Sequence, residues 1–127
     1  MVDTSRNFVS LAELRTVCDL MEQSKLNALS LHLTDTQSWP IEIDGFPKLT
    51  QWLSYGNHPY NTAENTSTSH IFTISEMQST VQYCLDRAVR VIPEVDMPGH
   101  CSAQRAYPEY VFRNRIISIL HVVRQTS

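Results

Sequence analysis

Two short stretches concentrate the side chains that could do chemistry. "HLTD" carries His32 and Asp35, and "PEVDMPGH" carries Glu94, Asp96 and His100 within seven positions. Carboxylates set beside imidazoles can move a proton, stabilise a developing charge or ligate a divalent cation. Taken singly, each acid has a plainer use as a helix cap or a loop hydrogen-bond acceptor. Five such residues argue for a site only if the two stretches end side by side.

The elements that must position them are readable. Ser10 and Glu13 form a capping box, Val9 and Leu14 can staple, and Leu11, Leu14, Val17, Cys18 and Met21 follow at helical spacing, which predicts a helix over about 11 to 25. In "LNALSLHLTD", Leu29, Leu31 and Leu33 alternate with Ser30, His32 and Thr34, the pattern of a strand with two unlike faces that ends near Asp35. A second capping box at Thr73 and Glu76, with Phe72 and Met77 as its staple, opens a helix over about 74 to 88. It feeds into "VRVIPEVD", a β-branched strand in which Pro93 should stand near the end, since it cannot donate a ladder hydrogen bond.

Alternating strands and helices imply an α/β protein with a parallel sheet. The long connection before the second helix contains the polar run "NTAENTSTSH" and an N-glycosylation acceptor, Asn65-Thr66-Ser67. Long loops after strands, with ionisable groups at strand ends, are the pattern of the catalytic face of a (β/α)8 barrel.

Composition narrows the partners. The net charge of −3 comes from scattered residues, which argues against nucleic acid, and no window is apolar enough for a membrane span. The first residues, "MVDTSRNFVS", lack the layout of a signal peptide. Cys18, Cys84 and Cys101 are an odd number without a CxxC pair, so neither a zinc knuckle nor a disulfide framework is indicated, and Cys18 and Cys84 read as small core residues.

"DTSRNF", "KLNALSLHLTDTQSWPIEIDGFPKLT" and "RVIPEVDMPGHCSAQRAYPEY" together resemble the opening part of the catalytic domain of family 20 glycoside hydrolases, the β-N-acetylhexosaminidases. The resemblance runs from about residue 2 to 110 and implies a partial (β/α)8 TIM barrel, roughly its first three strands with two intervening helices. It implies a glycan or glycoconjugate partner with terminal N-acetylglucosamine or N-acetylgalactosamine, and relatives that are often lysosomal or secreted. It implies no cofactor and no metal, because the substrate's own 2-acetamido oxygen attacks the anomeric carbon.

By the same resemblance, Arg6 binds sugar hydroxyls, while Asp35 and His100 are a supporting pair that tunes the general acid. His32, Glu94 and Asp96 are expected beneath the site, and Trp39 packs under a loop. The family's adjacent Asp-Glu pair, which supplies the acid and the acetamido-orienting carboxylate, is absent from these 127 residues. No catalytic residue is therefore assigned, and this stretch alone is expected to be inactive. Asn7, Leu31, Thr36 and Ala88 stand where histidine, tryptophan, a second aspartate and glycine are usual. Residues 111–127 read as a tail without the resemblance. Two other readings stay open: a non-catalytic carbohydrate-binding or interaction remnant keeping Arg6, Asp35 and His100, and a metal-dependent barrel hydrolase using His32, Asp35, Asp96 and His100.

Overall fold

A computed structural model describes residues 1–53 and 70–108. The acceptor at Asn65 and the tail over 111–127 lie outside the described residues. In chain order the elements are β1 (Val2–Asp3), α1 (Leu11–Gln23), β2 (Ala28–Thr34), α2 (Pro47–Leu53), α3 (Ile74–Leu85), β3 (Arg90–Val95) and a 3-10 turn (Ser102–Ala106). The strands form one parallel sheet in the order β1-β2-β3.

Register sets the site's frame. Asp3 lies opposite His32, and His32 lies opposite Glu94, so one row across the sheet carries three ionisable residues. Neighbours in register share a face, because side chains alternate along each strand. Leu29, Leu31 and Leu33 point the other way and pack with Leu14, Cys18 and Met21 of α1 and with Cys84 and Met77 of α3. Both helices thus cover one face of the sheet and leave the His32 face for chemistry.

Both capping boxes form as the residue spacing demands. The Ser10 and Thr73 hydroxyls accept from the backbone N–H of Glu13 and Glu76, whose carboxylates reach back to the cap N–H groups at 2.7 and 3.0 Å. The helices also end alike. Leu26 N–H bonds to Met21 carbonyl and Lys25 N–H to Glu22 carbonyl; Val89 and Ala88 repeat the pattern with Cys84 and Leu85. These are Schellman motifs, with Lys25 at φ 58° and Ala88 at φ 57° in the left-handed position that usually takes glycine.

Several expectations need correction. Cys18 and Cys84 are buried, but as a disulfide between α1 and α3 with a Cα–Cα distance of 5.4 Å. Sequence spacing hid it, because the partners lie 66 residues apart on two different helices. Pro93 sits inside β3 rather than at its end. Arg90 N–H donates to Asn27 carbonyl on the β2 side, so strand alternation turns the Pro93 nitrogen away from β2 and no hydrogen bond of the β2–β3 ladder is lost. The connection after β2 contains α2, begun by Pro47 at a position where its missing N–H is harmless.

A second core lies beyond the strand ends. Trp39, Leu49, Leu53, Ala103 and Tyr107 are buried together there, so Trp39 packs as expected of a loop-bearing residue. Outside the helices, Arg87 lies 3.5 Å from the Tyr83 ring centroid and pairs with Asp19, which also accepts from the Tyr83 hydroxyl at 3.0 Å. This latch and the disulfide join the same two helices.

Two outcomes follow from these contacts. Alkylation of the denatured, unreduced chain should label one cysteine, Cys101, and three after reduction, and reduction should lower stability in urea by about 2–4 kcal/mol. Ala88→Gly should raise stability by about 0.5–1 kcal/mol in the same assay, since the left-handed cost of alanine exceeds the added chain entropy of glycine.

Candidate functional site

The site is built around one carboxylate. Asp35, just beyond β2, is 1% exposed. Its Oδ2 faces three cationic or potentially cationic groups: the Arg6 guanidinium, His32 Nε2 at 3.3 Å and His100 Nδ1 at 3.3 Å. Its Oδ1 accepts the Thr36 backbone N–H at 2.5 Å, and its own N–H donates to Ser38 carbonyl.

Each partner is delivered by a distinct local structure. The "DTSR" loop is pinned to the end of β2 by Thr4, whose N–H and hydroxyl both donate to His32 carbonyl, and by the Ser5 hydroxyl, which donates to Ser38 carbonyl at 2.7 Å. Asp3 then turns the loop. Its carboxylate accepts the Ser5 and Arg6 N–H groups and a 2.8 Å bond from Arg6 Nη1. Arg6 therefore lies between Asp3 and Asp35, with its side chain still 45% exposed to the mouth.

From the other side, β3 contributes Glu94, whose Oε1 lies 2.6 Å from His32 Nδ1. A register irregularity between β2 and β3 falls at His32 to Thr34, where the chain bends to bring His32 and Asp35 onto one spot. His100 follows in the turn after β3 at φ 56°, a conformation that costs an L residue about 1–2 kcal/mol and is typical of residues held for function. Asp96 Oδ2 stands 4.0 Å from its Nδ1.

The electrostatics follow from these contacts. Burial pushes the Asp35 carboxyl up, but the Thr36 N–H, His100, His32 and Arg6 together outweigh it and hold the group below its ordinary value. Burial pushes His32 down, yet Glu94 and Asp35, helped by Asp3 and Asp96, raise it above its ordinary value. At neutral pH Asp35 is thus an ionised carboxylate held by the Arg6 guanidinium and two imidazoles, able to orient His100 at the mouth.

Two trios could offer ligand atoms to a cation, His32 with Glu94 and Asp96, and Asp35 with Asp96 and His100, with atoms within 4.8 Å of one another. Both would compete with existing partners. His32 has both nitrogens engaged, and the Asp35 oxygen is shared with a guanidinium that repels a metal ion.

All the residues named from the sequence, Arg6, His32, Asp35, Glu94, Asp96 and His100, are brought together in one region. The juxtaposition of Asp35 and His100, expected from successive parallel strands, is present. Sequence reading missed Asp3 as the residue that aims Arg6, although an aspartate can accept the backbone N–H groups two and three positions on, here Ser5 and Arg6, in a carboxylate-capped turn. It also missed that His32 and Glu94 are partners, which only the strand register reveals.

Comparison with known proteins places this geometry in a family. Residues 1–126 match the model of the glycosyl hydrolase family 20 catalytic domain, and the chain belongs to that family. It is 40% identical over 111 residues to a beta-hexosaminidase of Akkermansia muciniphila, covering 87% of this chain and 22% of that protein. A beta-hexosaminidase of Emericella nidulans is 40% identical over 113 residues, with coverage of 87% and 17%. The crystal structure of a beta-N-acetylhexosaminidase from Bacteroides fragilis superposes with a TM-score of 0.79 over 98% of this chain and 27% of that one, at 24% identity, a likeness of fold. The chain spans about a fifth of the length of these curated relatives.

Asp35→Asn tests the network directly. The substitution should lower stability by about 1.5–3 kcal/mol at pH 6. A depressed carboxyl contributes stability fully above its ordinary value, 3.8, and loses it as pH falls through the folded value, so the gap to the parent should narrow progressively in urea titrations taken below pH 3.8.

Proposed function

We propose that this chain is the N-terminal part of a β-N-acetylhexosaminidase barrel, with residues 1–110 forming roughly the first three strands of a (β/α)8 fold and their two intervening helices. The observation that carries the reading is the convergence of Arg6, His32 and His100 on buried Asp35 at the ends of parallel strands. Active sites of (β/α)8 barrels lie on that face. Family membership supplies the chemistry: release of a terminal N-acetylhexosamine with retention, through attack by the sugar's own acetamido oxygen.

In this reading Arg6 binds sugar hydroxyls through its half-exposed planar fork. Asp35 and His100 support the general acid, the carboxylate holding the imidazole so that it presents a fixed proton inventory to the acid. His32, Glu94 and Asp96 position that pair from below. The acid and the carboxylate that orients the acetamido group belong to an Asp-Glu pair outside these residues, since the 127 positions hold no such dipeptide.

Residues 1–127 should show no turnover of a chromogenic N-acetylglucosaminide. A chimera in which residues 1–110 replace the matched segment of the Akkermansia relative should hydrolyse it, and Arg6→Ala in that chimera should cost on the order of 100-fold in kcat/KM. A chimera that folds by circular dichroism but does not hydrolyse would contradict the reading.

A further inference from the structure

His32 presents a problem of proton counting. Its Nδ1 lies 2.6 Å from Glu94 Oε1 and its Nε2 lies 3.3 Å from Asp35 Oδ2, while the residue is 5% exposed. Ionised carboxylates only accept hydrogen bonds, and a neutral imidazole has one N–H. A neutral ring would leave a bare nitrogen lone pair against a carboxylate oxygen, either at buried Asp35 or, across the 2.6 Å contact, at half-exposed Glu94.

We propose that His32 is a positioning residue that works as an imidazolium, donating from both ring nitrogens to Glu94 and Asp35 and so coupling the end of β3 to the carboxylate that holds His100. The sequence of contacts is Glu94, His32, Asp35, His100, and it crosses from one strand to the next through side chains alone. Asp35 Oδ2 is fixed from below by His32 and from the mouth by Arg6, which leaves His100 one orientation to answer. This deepens the hexosaminidase reading and rests on it for the role of Asp35 and His100; the charge state of His32 rests on the geometry alone.

The surroundings favour the charge from every packed element. Asp3 on β1 is the register neighbour of His32, Asp35 follows β2, Glu94 is on β3 and Asp96 follows it, and all four raise the affinity of His32 for its proton against the opposing effect of burial. The Arg6 guanidinium and the His100 imidazole face the same Asp35 oxygen. A histidine whose value is raised contributes its stability fully below the unfolded value, near 6.5, and loses it as pH rises through the folded value. The coupling is therefore complete in mild acid and is released on the alkaline side.

Nitrogen NMR of the 127-residue chain, with His32 assigned by its loss in His32→Gln, tests the charge state. At pH 6.5 both ring nitrogens of His32 should show protonated shifts, and Glu94→Gln should move the His32 titration to lower pH. One bare nitrogen at pH 6.5, or a titration unmoved by Glu94→Gln, would overturn the proposal. In the active chimera, His32→Gln should lower kcat on the order of 10–100-fold with KM within about twofold and shift the alkaline limb of the pH profile. An unchanged pH profile would overturn the positioning role. An inactive but folded parent chimera would instead defeat the hexosaminidase reading and leave the NMR result standing.

Discussion

A carboxylate taken out of water must be answered by donors, and Asp35 is the place where this chain meets that demand. At 1% exposure it would be costly as an anion without its partners. The partners come from the loop after β1, from β2 itself, from the loop after β2 and from the turn after β3. No single element can satisfy it. The strand register, the pinned "DTSR" loop and the left-handed turn at His100 are therefore linked through one oxygen pair, and an error in any of them would strand a buried charge.

The rest of the structure separates support from chemistry. One face of the sheet is closed by α1 and α3, joined by the Cys18–Cys84 disulfide and by the Arg87, Tyr83 and Asp19 contacts. The strand ends are held by a different core around Trp39, α2 and Tyr107, where Trp39 N–H donates to Leu53 carbonyl at 2.6 Å and the Lys48 N–H donates to the Tyr107 hydroxyl. The ionisable row of Asp3, His32 and Glu94 lies on the face these cores leave available. Stability lost from the helix layer and geometry lost from the mouth are thus separable by mutation.

Much of this was legible in the residues because local and global signals agree. Each capping box marks the first turn of a helix, and the alternation of Leu29, Leu31 and Leu33 with Ser30, His32 and Thr34 assigns the two faces of β2. The common mouth of "HLTD" and "PEVDMPGH" follows from parallel topology. What escaped notice depends on distance in sequence: the disulfide joins positions that become neighbours only when two helices pack on one sheet, and the His32 to Glu94 contact needs the register. Helix α2 was hidden for another reason, since its seven residues are too few to show a convincing period. The left-handed Lys25 and Ala88 break the glycine rule for helix ends, and after Ala88 the buried Val89 supplies the hydrophobic contact that accompanies the motif.

At neutral pH Asp35 is an ionised carboxylate held by its partners. The direct measurement is a carbon NMR titration of the Asp35 carboxyl in the folded chain. The midpoint should lie below the ordinary value of 3.8, with the ring signals of His32 and His100 responding in the same pH range. A midpoint at or above that value, or histidine signals indifferent to Asp35 protonation, would contradict it.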